Sequence, residues 1–461
     1  MKERLIILLL MACGFCNAQT IIGGVFFTNT ILTVANNPYH VTSNVLVPIG
    51  VSVTVEPGVL LYFDATISWT VEGEFQAIGN ANDSIKFLLQ TGNTGTWGGI
   101  TYNQSAVPYN PISGTGCVMD YCVISKSEAM WINVTTVCIL HSEIKNCNGG
   151  IYAYGSGIAI KHTHIHDCIY QAITTWYGFV FPLPVLIDSC EINNITNVPD
   201  ALRLTSNAIF SHNCVHDITA TFGALSIFEG PSINVVENNF YDNNTSAIIM
   251  VDGPDSSVSI LNNNFTNNQI NISKSSCYST PIITGNNFYS YVNYNVYCID
   301  GFGLSGPFCR PIPTGSYYTF DMQQNYFAYA STAQLDSSIY DLFDNWIGRT
   351  IITYDSNIVT PYPNNFDCSS LFDTTLLAIN TSSIEQSLAV YPNPFNEKLN
   401  VLTNEEGILE LILYDITGRK LLQKRFTNSI TLNTEQLAYG VYIYELRNKN
   451  RTSANGKVIK Q

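Results

Sequence analysis

Basic residues are scarce in this chain: 20 Lys and Arg stand against 35 Asp and Glu among 461 residues, a formal net charge of −15. Such a chain lacks the basic groove that phosphate backbones require, which excludes nucleic acid as a partner. Long apolar runs are missing after the first few residues, so no later segment has the length of a transmembrane helix. Helical spacing of apolar positions is missing too, which excludes a bundle. The familiar catalytic signatures are also lacking: there is no zincin His pair, no nucleophile elbow and no EF-hand loop. The run Gly301-Phe302-Gly303-Leu304-Ser305-Gly306 spells a dinucleotide fingerprint by letters, but it leads into Pro307 and not into a helix whose N-terminus would hold a phosphate.

What is present is a repeat. Eight stretches read as a small or polar residue, a variable one, then a large apolar one, with the apolar positions at Ile124, Ile144, Ile165, Ile192, Val215, Phe240, Phe265 and Phe288. Their separations are 20, 21, 27, 23, 25, 25 and 23 residues. A period of this length built from alternating units describes a solenoid in which each turn buries its inner face only by stacking on the next. Successive strand residues point to opposite faces, so the residue two before each apolar position also faces inward. That makes Cys122, Ser142, Thr163, Cys190, Asn213, Asn238, Asn263 and Asn286 an internal stack in which amides bond from rung to rung. Two residues after the apolar position comes the series Lys126, Asn146, Asp167, Asn194, Asp217, Asp242, Asn267 and Ser290, whose Asn and Asp bias marks a turn. The expected fold is all-β: a parallel β-helix followed by a small C-terminal β-sandwich.

Upstream, Val51 to Glu56, Val59 to Phe63, Ile67 to Phe75, Ile85 to Leu89 and Trp97 to Tyr102 read as earlier coils separated by Pro57-Gly58, Glu72-Gly73, Gly79-Asn80 and Gly98-Gly99. Downstream, Asn325-Tyr326-Phe327 and Asn345-Trp346 read as last rungs after an irregular insertion at about 275–318. The Val55-Glu56-Pro57-Gly58-Val59 and Trp97-Gly98-Gly99-Ile100 runs, with the Asn-Asn-Phe rungs, resemble the secreted right-handed parallel β-helix proteins of the pectate-lyase-like kind over roughly residues 25–365. The resemblance implies the fold and leaves the chemistry open, since one fold hosts many functions.

The two ends address export. Lys2 and Arg4 precede an apolar run from Leu5 to Met11, and Asn17-Ala18 follows, which predicts a signal peptide over residues 1–18. The alternative is a lipoprotein modified at Cys13. Residues 19–386 carry eight Lys/Arg and 27 Asp/Glu, a net of −19, whereas residues 387–461 carry ten and seven, a net of +3. This shift predicts a body at 19–368, a Ser/Thr-rich linker at 369–386 and a separate domain at 387–461. Tyr391-Pro392-Asn393-Pro394, Asp415-Ile416-Thr417-Gly418-Arg419 and Leu437-Ala438-Tyr439-Gly440-Val441-Tyr442 follow one another there, and the tail resembles the C-terminal sorting domain of the type IX secretion system of Bacteroidetes. The resemblance implies the secretion machinery as a partner, translocation across the outer membrane, and attachment at the cell surface or release.

Thirteen cysteines suit an exported chain. Cys147 and Cys168 fall at the same place in consecutive rungs, as a bridge or as stacked thiols, and Cys277, Cys298 and Cys309 fall in the insertion, where a bridge would restrain the loops.

Candidate ligand-binding residues are His141, His162, His164, His166, His212 and His216, placed by the repeat on the outer face with Lys145 beside them, together with Trp176 and its neighbours Tyr152, Tyr154 and Tyr177. Asp167, Asp217 and Asp242 offer oxygen ligands for calcium, against the reading that they only satisfy turn backbones. If the protein is an enzyme, a polysaccharide lyase or glycoside hydrolase is expected, and Lys161 and Arg203 are the weak candidates for the charge that a lyase places on a uronate carboxylate. A body at −19 repels a polyuronate unless calcium intervenes, which leaves neutral glycans open. The composition equally accommodates a non-catalytic adhesin or a structural surface protein. The reading adopted is an exported β-helix that binds or processes extracellular carbohydrate.

Overall fold

A computed structural model describes residues 19–111, 113–176, 185–205, 207–228, 232–251, 257–274, 281–298, 318–329, 331–341, 343–344, 350–354, 358, 360–364, 366, 368 and 371, and towards the C-terminus 388–391, 395–403, 409–415, 419–438, 440–448 and 451–460. The predicted signal peptide, nearly all of the linker, the Gly301 to Gly306 run, Cys277 and Cys309 lie outside the described residues. The described chain forms two compact units, 1–372 and 373–461.

The first unit is a parallel β-solenoid. A typical coil contributes three strands, such as Thr136–Leu140, Glu143–Lys145 and Ile151–Tyr154, and the next repeats them as Gly157–Lys161, His164–His166 and Ile173–Trp176. The first strand of each coil joins an 11-stranded sheet and the other two run in a 24-stranded sheet. All pairings within these two sheets that link successive coils are parallel: Glu143 meets His164 and then Glu191, while Trp131 meets Tyr152 and then Thr174. The run from Ile67 to Phe75 divides at the expected Glu72-Gly73 turn into Trp69–Val71 and Glu74–Ile78, and Gly73 sits against the backbone carbonyls of Pro48 and Val51, where a Cβ would clash.

The interior follows the expected alternation. Ile144, Ile165, Ile192, Val215, Phe240, Phe265 and Phe288 are buried, and the rings of Phe240, Phe265, Phe288 and Phe327 stack with centroids 5.5, 4.9 and 4.7 Å apart. Beside them, the Asn213 side-chain amide donates to Asn238 Oδ1 at 2.9 Å, Asn238 to Asn263 at 2.9 Å, Asn263 to Asn286 at 3.0 Å and Asn286 to Asn325 at 2.9 Å. A second buried ladder, Asn243 to Asn268 to Asn271 to Asn295, runs down the solenoid at a position where the repeat gives no such hint.

The turn series adopts left-handed backbone at Lys126, Asn146, Asp167, Asn194, Asp217, Asp242 and Asn267, with φ of 52–54°. Asn and Asp tolerate this region, which explains the composition bias. After the last rung the chain returns along the outside of the coils. Tyr362 exchanges backbone hydrogen bonds with the Asn287 side chain at 2.7 and 2.9 Å, Asn239 donates to the Phe366 carbonyl at 2.9 Å, and Cys368 is bridged to Cys214. This strap pins Asn239 and Asn287, and Asn264 between them bonds to both. Cys147 and Cys168 are free buried thiols that donate to the carbonyls of Lys145 at 3.2 Å and His166 at 3.5 Å.

The second unit is antiparallel: strands Leu388–Tyr391, Lys398–Thr403 and Ser429–Asn433 form one sheet, and Lys420–Phe426, Leu409–Asp415, Gly440–Asn448 and Arg451–Lys460 the other. Phe395, Leu399, Leu411, Leu413, Tyr442 and Val458 fill its core.

Phe265 is fully buried between two stacked rings, so Phe265→Ala should cost about 3–5 kcal/mol through lost contacts and an unfilled cavity. Thermal and denaturant unfolding will read this as a clear loss; an unchanged midpoint would show that the aromatic column does not hold the coils together.

Candidate functional site

Two outward faces carry the functional groups. The first is built on the middle strand of each coil, where one outward column reads Glu143, His164, Glu191, Cys214 and Asn239, and the next reads Lys145, His166, Asn193, His216 and Tyr241. Parallel rungs stand about 4.8 Å apart, so a side chain meets its diagonal neighbour as readily as its direct one. His166 Nε2 lies 3.2 Å from Glu143 Oε1, and its Nδ1 is 2.6 Å from Asp167 in the turn. Two coils on, His216 repeats the arrangement, with Nε2 3.0 Å from Glu191 and Nδ1 2.7 Å from Asp217. Between them His164 lies 3.0 Å from Asn193 Oδ1 and 3.7 Å from Glu191, its ring 4.0 Å from that of His166. Lys145 donates to the other oxygen of Glu143 at 2.8 Å.

A related pattern occupies the turn before these strands, where His141, His162 and His212 have left-handed backbone. His141 Nδ1 is 2.9 Å from Asp120, and its ring stacks between Tyr121 and His162. His212 is held between Asp188 and Glu237, each at 2.9 Å. The six histidines thus form two groups, one on the middle strands and one in the turn before them; His141, His164, His166, His212 and His216 each have a carboxylate beside them, and His162 stacks on His141.

These partners set the titration. The hydrogen bond with Glu143 raises His166, outweighing burial and assisted by Asp167. Burial opposes charge on His212 and His216, yet their paired carboxylates prevail and raise both. Burial lowers His164, and the neighbouring His166 charge adds to this. Glu143 falls to about 2, chiefly through its bond to His166, and Glu191 falls chiefly through its bond to His216.

The second face lies on the third strand of each coil. Trp131, Tyr152, Thr174, Arg203 and Ser226 follow one another in register along one outward column, with Tyr154 and Trp176 in the adjoining column. The indoles of Trp131 and Trp176 are parallel within 4° at 6.1 Å, and the Tyr152 ring stands edge-on between them. Trp131 is 40% and Tyr154 41% exposed, so the ledge faces water. Beyond it Arg203 donates twice to the fully buried Asp200, at 2.7 and 3.1 Å, and the Gln171 amide donates to the same carboxylate at 3.3 Å. The buried hydroxyls of Thr174 and Ser226, one rung to either side of Arg203, have no hydrogen-bond partner among the described residues.

The expected residues are thus divided. Lys161 belongs to the 11-stranded sheet, in register with Leu140 and Asp188, whereas Arg203 stands on the 24-stranded sheet. Asp167 and Asp217 are two coils apart and each is committed to its preceding histidine, while Asp242 accepts from Asn267 at 2.6 Å. Sequence reasoning missed Glu143, Glu191, Asp188 and Glu237, although the repeat places Glu143 and Glu191 one residue before the apolar position. It also missed Trp131, whose strand carries no repeated signature. Among the described residues, donor atoms of Glu143, His164 and His166 lie within 4.8 Å of one another, close enough to share a metal ion.

The sign of the pH dependence follows from these shifts. The raised histidines stabilise the fold fully below their ordinary value of 6.5, and this contribution is lost as pH rises through their higher folded values. The lowered glutamates contribute fully above 4.5, and lose it as pH falls towards about 2 for Glu143. These raised histidines and lowered glutamates therefore support the solenoid most between about pH 4.5 and 6.5, where the lowered His164 opposes them. Melting temperature should fall between pH 6 and pH 8, and His212→Asn with His216→Asn should flatten that fall; identical slopes in the two proteins would contradict it.

Residues 389–461 match the model of the secretion system C-terminal sorting domain. No curated protein matches the chain. Among solved structures, a point mutant of the periplasmic alginate epimerase AlgG aligns at 12% identity and a TM-score of 0.45, and the unsubstituted enzyme at 10% and 0.37, each over 71% of this chain and 84% of the other. At these values no chemistry carries over to this protein. The family assignment therefore rests at one end: the chain carries a type IX secretion system C-terminal sorting domain at residues 389–461.

Proposed function

We propose that this protein is an exported surface β-helix whose third-strand face binds a neutral, hydroxyl-rich extracellular glycan. One observation carries the reading: Trp131 and Tyr154 stand exposed beside the half-buried rings of Tyr152 and Trp176, and the column of Trp131 and Tyr152 runs on in register to Arg203. Flat aromatic faces suit the C–H faces of sugar rings, and the fixed donors of a guanidinium suit their hydroxyls.

Charge decides the class of glycan. Asp200 neutralises Arg203 through a bidentate bond, and the body carries a net of −19, so a polyuronate meets repulsion without a free guanidinium to offset it. The same commitment withdraws Arg203 from the role a lyase would give it, and supports binding over cleavage. The sorting domain supplies the address, export across the outer membrane to the cell surface or the medium.

Trp131→Ala and Trp176→Ala should each weaken binding to a neutral glycan roughly tenfold, equal to about 1.4 kcal/mol, in calorimetry with hits from a glycan panel. Melting temperature should barely move, since exposed side chains contribute little to the core. Undiminished binding in both variants, or a panel in which only polyuronates bind, would overturn the proposal.

A further inference from the structure

We infer that Glu143, His164 and His166 form a binding site for one divalent transition metal of the zinc class, on the middle-strand face and separate from the glycan ledge. The three residues occupy consecutive coils, with Glu143 and His164 in direct register and His166 diagonal to Glu143. A tetrahedral ion with bonds of about 2.0–2.2 Å holds its donors a little over 3 Å apart. Glu143 Oε1 and His166 Nε2 already stand 3.2 Å apart, and His164 brings a ring nitrogen within 4.8 Å of both, a gap that a modest ring rotation closes.

The surroundings are those of a ligand set. Asp167 accepts from His166 Nδ1 at 2.6 Å, which fixes the tautomer that turns Nε2 towards the ion and raises its basicity. Lys145 takes only Oε2 of Glu143, leaving Oε1 on the histidine side. Asn193 and Glu191 position His164 from the following coil, and Glu191 with Asp167 supplies further negative charge to offset a divalent cation. All three ligand residues are partly exposed, so water can complete the coordination. Two imidazoles and one carboxylate select a borderline metal over calcium, which takes six to eight oxygens.

The test is titration of the full chain with zinc chloride by calorimetry, and with cobalt(II), whose visible absorption reports imidazole coordination. We expect one strong zinc site per chain, a loss of at least about a hundredfold in His164→Asn/His166→Asn, and roughly tenfold in Asp167→Asn, the usual effect of removing an outer carboxylate. His212→Asn should bind as the parent does, and excess calcium should not displace zinc. Glu143→Gln, which keeps the shape of the side chain, provides a separate check should the double variant fail to fold. The proposal is overturned if Glu143→Gln and Asp167→Asn bind zinc as tightly as the parent, if no strong site is found, or if calcium competes at equal concentration.

Discussion

The buried amide ladder of Asn213, Asn238, Asn263, Asn286 and Asn325 is the constraint on which the rest of the solenoid depends. Each side chain donates to the next and also to a backbone carbonyl, as Asn238 does to Phe210 and Asn263 to Val235. The next coil's Oδ1 accepts from the backbone N–H of the preceding residue, as Asn263 does from Asn238. A buried amide left unpaired costs about 1–3 kcal/mol, so a coil that slips by one residue loses the ladder and turns its apolar face to water at once. Parallel strands offer little register information by themselves, and the amides supply it. Once register is fixed, every outward column is fixed too, including the columns that bring Glu143 to His166 and Tyr152 to Trp131.

The outer electrostatics follow from that placement. The body is strongly acidic, and stacking like residues in rungs would set carboxylate on carboxylate. Histidines placed diagonally to acids relieve this: His166, His212 and His216 each stand between two carboxylates and gain charge from them. His164 is drier, and burial together with the neighbouring His166 lowers its pKa.

The inward features were legible in the sequence because each is repeated within one strand. The apolar column, the asparagine stack and the left-handed turn series recur at fixed offsets, and strand alternation assigns each a side. Features that join different coils were not legible. Glu143 and Glu191 were in plain view, but their partners sit 23 and 25 residues away, on diagonals that depend on the length of each intervening turn. Trp131 belongs to a strand with no repeated motif, so only the register reveals that it shares a ledge with Tyr152 and Trp176. The Cys214–Cys368 bridge spans 154 residues and depends on the return of the strap, which no local pattern encodes. Cys147 and Cys168, whose rung positions suit a bridge, remain thiols.

The most direct test of this account is residue-resolved amide hydrogen exchange on the Asn263→Ala chain. If the ladder sets the register, the loss of one amide orphans Asn238 on one side and Asn286 on the other, and protection falls on the strands around both, spreading over at least three coils. If protection changes only in the strand that holds residue 263, each coil holds its own register, and the ladder is a consequence of the fold and not its cause.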